Sequence, residues 1–97
     1  MRFTFHPEAV SELIHAVEYY QARAKNLGLE FLDEVIFAVF RILEFPDASA
    51  RFSQNSRRCL INRFPFAIIY QIRKNEIFFV ADTHLSMKPG YWKERIS

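Results

Sequence analysis

Residues 58–81 read RCLINRFPFAIIYQIRKNEIFFVA, and this stretch decides the fold. Its centre, Ala67-Ile68-Ile69-Tyr70-Gln71-Ile72, is β-branched and apolar on both faces, as expected of a strand in the middle of a sheet. Arg58–Phe64 before it is strand-like, and Ile77-Phe78-Phe79-Val80-Ala81 after it forms the next strand. Pro65 marks a turn or an edge, because proline cannot donate to a ladder. Arg73-Lys74-Asn75-Glu76 is a polar connector of hairpin length. Three strands on such short links predict an antiparallel meander.

Upstream, the hydrophobic period changes from two to about 3.6. Arg2-Phe3-Thr4-Phe5-His6 alternates as a short strand. Pro7 ends it and suits the first turn of a helix, where Glu8 and Glu12 meet the positive end of the helix dipole. Val10, Leu13, Ile14, Val17 and Tyr20 form one stripe expected to be buried, with Glu8, Glu12, His15 and Glu18 mostly outside it. This helix is expected to reach about Ala24. Lys25-Asn26-Leu27-Gly28 interrupts the pattern, which restarts at Leu29 with Phe31, Leu32, Val35, Ile36, Val39, Phe40 and Leu43. Phe45-Pro46 stops it, since the residue before proline disfavours the helical region. Asp47–Ser56 is polar and irregular, expected as a loop.

The order is strand, helix, helix, strand, strand, strand and a tail from Thr83, which predicts an α+β fold. One domain over residues 1–97 is expected. The helical hairpin should cover one face of the sheet. The other face, with Arg58, Asn62 and Gln71, should be at least partly open.

Composition excludes several classes of function. With one cysteine, Cys59, no internal disulfide or cysteine-based zinc site can form, which suits a reducing cytoplasm. His6, His15 and His84 lack metal-ligand spacing, and two glycines cannot build a phosphate-cradling loop. No metal and no cofactor are expected. No run of about 18 apolar residues is present to span a membrane, and Met1–His6 has no apolar stretch of signal-peptide length. The chain is 51 % hydrophobic with 11 Phe. That is ample material for a core, with a surplus that a partner could cover.

Charge is unevenly distributed. Residues 1–48 hold four basic and eight acidic side chains, and residues 49–97 hold nine basic and three acidic ones. An anionic partner would explain the asymmetry, and so would a basic half that balances the acidic helices of its own fold. Arg57, Arg58 and Arg63 flank one strand. His84, Lys88, Tyr91, Trp92 and Arg95 follow the last strand, and a meander could bring the two groups together. Guanidinium groups hold phosphates in a fork, aromatic rings stack unpaired bases, and His, Lys or Tyr could move a proton. Equally, Tyr91 and Trp92 could simply fasten the tail to the core. Which of Arg57 and Arg58 faces the site depends on register, because a slip of one residue exchanges faces.

Arg58–Tyr70, RCLINRFPFAIIY, resembles the R-x-x-x-x-x-F-P-Y/F-x-I-x-Y block of the RelE/ParE toxin superfamily. His84–Arg95, HLSMKPGYWKER, resembles its closing H-x-R-R-x-P-x-Y-W-x-x-R segment. FHPEAVSELIHAVEYY and GLEFLDEV are similar to its first strand and helix and to the start of its second helix. The resemblance implies the same α+β architecture and a toxin of a type II toxin–antitoxin pair, held in a hetero-oligomer by a cognate antitoxin. It further implies one of two targets, DNA gyrase for ParE-like members or messenger RNA on the ribosome for RelE-like nucleases. A homologue that binds antitoxin without toxicity is the third possibility.

By position, Arg58, His84, Lys88 and Tyr91 become the catalytic candidates, with Arg57, Arg63, Trp92 and Arg95 as candidates for binding the target. The family's basic pair falls at positions 86 and 87, where this chain has Ser86 and Met87. Losing two guanidinium groups weakens a phosphate clamp and turns the expectation toward gyrase. The antitoxin is expected to lay an acidic segment on the basic face around Arg57, Arg58 and Arg63.

Overall fold

The structure, a computed structural model, describes residues 2–53 and 55–96. Met1, Gln54 and Ser97, which the sequence reading assigns to the N-terminal segment, the loop and the tail, lie outside the described residues. The elements are β1 (Arg2–Phe5), α1 (Pro7–Arg23), α2 (Leu27–Glu44), β2 (Ala50–Arg51), β3 (Arg57–Leu60), β4 (Phe66–Arg73), β5 (Glu76–His84) and a closing 3-10 turn (Lys93–Arg95). The sheet order is β1-β5-β4-β3-β2.

The meander β3-β4-β5 is antiparallel as expected. Two features of the sheet were not foreseen. β1 lies parallel to β5, since the helical hairpin carries the chain across before the meander begins. β2 adds a two-residue edge, Ala50 opposite Arg58 and Arg51 opposite Arg57, inside the stretch read as loop. β3 is also shorter than expected, ending at Leu60, and a bend carrying Arg63 at φ 71° leads into β4.

Local chemistry accounts for the helices. The His6 Nδ1 caps α1 by accepting the Glu8 N–H at 3.1 Å, and Pro7 occupies the first turn. Asn26 adopts the left-handed conformation, φ 64°, and starts α2 two residues earlier than Leu29. Gly28 is required there. A Cβ would meet the Val17 carbonyl oxygen at 2.5 Å, and the Gly28 N–H donates to Gln21 Oε1 at 2.8 Å.

The helices cover one sheet face. Phe31, Val35, Ala38 and Ile42 of α2 meet Phe66, Ile68, Tyr70, Ile77 and Phe79 of the sheet. On α1 the buried residues are Ala9 and Ala16, while Val10 is 39 % and Ile14 52 % exposed. The buried line is therefore rotated by about one residue from the expected stripe, because small alanines let α1 lie close to its neighbours. Ile36 and Phe40, also expected inside, are exposed.

The opposite face is less open than the sequence suggested. The tail crosses it and seats Trp92, 2 % exposed, against Ile69, Phe78, Val80 and Ala81. Gln71 is buried, Asn62 falls beyond the end of β3, and Arg58 alone of the three keeps an exposed side chain in a strand. No described helix is long and apolar enough to cross a membrane.

Candidate functional site

An irregularity in β5 builds the site. Tyr70 pairs with Phe79 but Ile69 pairs with Ala81, so Val80 is an extra residue, a β-bulge. Before it, Ile77 and Phe79 face the helices. After it, Asp82 opposite Ile68 and His84 opposite Phe66 face them instead. Without the bulge, alternation would send both side chains to the far side.

Asp82 and His84 thus reach the side of α1, which supplies Glu12, His15 and Tyr19. The tail closes the group with Tyr91. Together with Tyr20, Phe66 and Met87 they line an open pocket of about 660 Å³. Its anchor is Glu12, whose carboxylate accepts four hydrogen bonds. Tyr91 donates its phenol at 2.5 Å, the Arg95 guanidinium donates twice at 3.0 Å, and the Asp82 backbone N–H donates at 3.0 Å. Arg95 also donates to the Val80 carbonyl at 3.1 Å and lies 3.8 Å from Glu8.

The Asp82 side chain has no such partners. It is 6 % exposed, and among the described residues neither oxygen has a hydrogen-bond partner. Burial first, and the Glu12 charge second, push this carboxyl up to about 7. Tyr91 is shifted upward as well. Burial and its hydrogen bond to Glu12 push the phenol up to about 12.

His84 packs edge-on against Phe66 at 5.1 Å. Its Nδ1 accepts the Ser86 backbone N–H at 3.0 Å and faces the Ser86 hydroxyl at 2.7 Å. A backbone N–H can only donate, so Nδ1 is the acceptor and the neutral ring carries its proton on Nε2.

The predicted residues divide into two groups. Arg58, His84 and Trp92 do converge, along a shallow groove with Phe52, Leu85 and Met87. Register decides between the two arginines. Arg58 pairs with Ile69 on the tail side, whereas Arg57 pairs with Tyr70 on the helix side. The Arg58 guanidinium lies 4.9 Å above the Phe52 ring, which in turn packs at a tilt of 30° against Trp92, centroids 5.6 Å apart. Lys88 is exposed on the turn beside them.

Arg57, Arg63 and Arg95 do not join this group. Arg57 binds the Asp47 and Ser49 carbonyls and the Asp47 carboxylate. Arg63 pairs with Glu30 at 2.8 Å and reaches Glu34 at 3.9 Å. Arg95 is spent on Glu12. Much of the basic half therefore balances acids of the N-terminal half, one of the two readings its charge allowed. Glu12 and Asp82 were missed as site residues. Glu12 was set outside the buried stripe, while Asp82 carried a usable signal as an acid directly after the apolar run 77–81.

No protein-family model matches the chain, and no curated protein matches it. Among solved structures, one from the chromosomal ParDE TA system of P. aeruginosa matches with a TM-score of 0.76 and 15 % identity, covering 87 % of this chain and 95 % of that one. The fold is ParE-like. Strand, helical hairpin and meander, expected from hydrophobic period, correspond to that architecture over most of the chain.

Proposed function

We propose that this chain is the toxin of a type II toxin–antitoxin pair, that an antitoxin holds it, and that it arrests growth by binding DNA gyrase rather than by cutting RNA. The ParE-like fold, and the origin of its structural neighbour in a toxin–antitoxin system, support the first part. Exposed Phe37, Phe40 and Phe45 along α2 and its end are apolar surface that a protein partner would cover.

The observation carrying the choice of target is the state of His84. Ser86, which stands where the resembling family has a basic residue, occupies its Nδ1. The other nitrogen then bears the proton, so the ring has no free base for abstracting a hydroxyl proton. Tyr91, with its phenol near 12 and bound to Glu12, and Arg95, bound to the same carboxylate, are equally committed. Of the candidates, Arg58 and Lys88 remain exposed for binding, with the Phe52 ring beneath the Arg58 guanidinium.

The test is induction in a bacterial host, with transcript mapping and a gyrase supercoiling assay on purified protein. The expected result is growth arrest with intact transcripts and inhibited supercoiling, both relieved by Arg58→Ala. Cleaved transcripts with normal supercoiling would establish the nuclease instead. Harmless induction would leave only the antitoxin-binding homologue.

A further inference from the structure

The pocket between α1, β5 and the tail has a character opposite to the basic surface around Arg58. No lysine or arginine is among its lining residues. Two carboxylates stand at its base, and only one of them is satisfied. Glu12 takes four donors from the protein, while Asp82, one residue past the Ala81 that ends the apolar run, buries two acceptor oxygens with no donor among the described residues. A buried polar group without a partner is destabilising, the more so if charged. Apolar packing would avoid that cost, so the arrangement suits a ligand that brings its own donors.

The walls define the ligand further. Tyr19, Tyr20, Phe66 and Tyr91 present aromatic rings, and Met87 adds a thioether. Rings attract cations through their faces, and the Tyr19 ring already takes the Arg23 guanidinium at 4.5 Å. Two adjacent acceptor oxygens match the parallel N–H pair of a guanidinium, which is also weakly hydrated and enters such sites readily. An ammonium group fits less well, because it holds its water more strongly and offers no planar fork.

We infer that this pocket is a binding site for a guanidinium group on an aliphatic stem, an arginine side chain, with Asp82 as the bidentate acceptor and Tyr19 and Tyr91 as the flanking rings. The arginine comes from a partner polypeptide or from the free amino acid. Glu12 positions the site by holding Tyr91, Arg95 and the Asp82 backbone in place. This inference does not rest on gyrase being the target.

The test is a titration of the intact protein, followed by NMR at the Asp82 carboxyl and the His15 and Tyr19 rings. The probes are N-acetyl-arginine methylamide, free arginine, and the lysine and norleucine analogues of the capped compound. Saturable shifts with the capped arginine are expected, at least tenfold stronger than with norleucine and stronger than with lysine. Preference for the capped form over free arginine assigns the source to a polypeptide, and the reverse preference to the amino acid. Asp82→Asn should weaken binding at least tenfold. Tyr19→Ala, at an exposed position that leaves the core intact, should weaken it several-fold, whereas Arg58→Ala should not. Equal shifts with norleucine, or undiminished binding by either Asp82→Asn or Tyr19→Ala, would overturn the inference.

Discussion

Glu12 and Tyr91 are 79 residues apart in sequence and meet in a hydrogen bond of 2.5 Å. With Arg95 donating to the same carboxylate, this contact ties the C-terminal tail to the first helix. The tail in turn keeps Trp92 on the sheet face away from the helices. One carboxylate thus links three elements that the chain order separates.

Removing it should therefore act at a distance. Glu12→Ala leaves the Arg95 guanidinium, 10 % exposed, without its carboxylate partner, with Glu8, the Val80 carbonyl and the Tyr91 ring nearby. Breaking a buried pair in this way costs roughly 3 kcal/mol. Urea unfolding should show a loss of that size. Emission of Trp92, the protein's one tryptophan, should shift to the red as the tail loosens, already without denaturant.

Asp82 should imprint a pH dependence on stability. Its carboxyl is raised from 3.8 to about 7 in the folded chain, so the folded state holds this proton more tightly than the unfolded one. The contribution is full below the unfolded value and is lost as pH rises through the folded value. A shift of this size corresponds to roughly 4 kcal/mol at most. Asp82→Asn removes the titration. The stability of this variant relative to wild type should therefore climb between about pH 4 and pH 7 and stay level above that. Urea midpoints across the range check this, and a flat difference would count against it.

Trp92 separates shape from polarity. Its ring is buried on Phe52 and Ile69, but its Nε1–H has no partner among the described residues. Trp92→Ala should cost about 3–5 kcal/mol by leaving a cavity. Trp92→Phe keeps an aromatic ring and forfeits no hydrogen bond, so a loss below about 1.5 kcal/mol is expected. Thermal denaturation of the two variants would show the contrast.

Gly28 fixes the approach of the two helices. A methyl group there would stand 2.5 Å from the Val17 carbonyl oxygen and 2.9 Å from the Gln21 Cβ. Backbone cannot yield as a long side chain does, so α2 must shift. Gly28→Ala is expected to destabilise by about 1–3 kcal/mol as an overpacked contact, despite alanine's better helix propensity. A stabilised variant would show that the hairpin is looser than its geometry indicates.

The elements of this fold were legible because they rest on local periodicity. The apolar run 67–72, the proline stops at Pro7 and Pro46, and the polar link Arg73–Glu76 each speak through neighbours in sequence. The hairpin closes as expected, with Asn75 in the left-handed conformation, φ 59°. The site was half legible. Arg58, His84 and Trp92 converge because strands paired in a meander must bring their ends together. The fates of Arg57, Arg63 and Arg95 were not readable, because their acids lie in other elements and no local pattern announces a partner 33 or 83 residues away.

By itself, then, the sequence determined the elements other than the short β2 edge, their order and the antiparallel meander, since these follow from hydrophobic period and turn chemistry within a few residues. Tertiary structure alone decided where β1 joins the sheet, which arginine faces outward, and what surrounds Asp82. The first two depend on pairings between strands distant in sequence, and the third on one unpaired residue. Val80 reverses the alternation of β5, and with it the side of the sheet on which Asp82 and His84 meet α1.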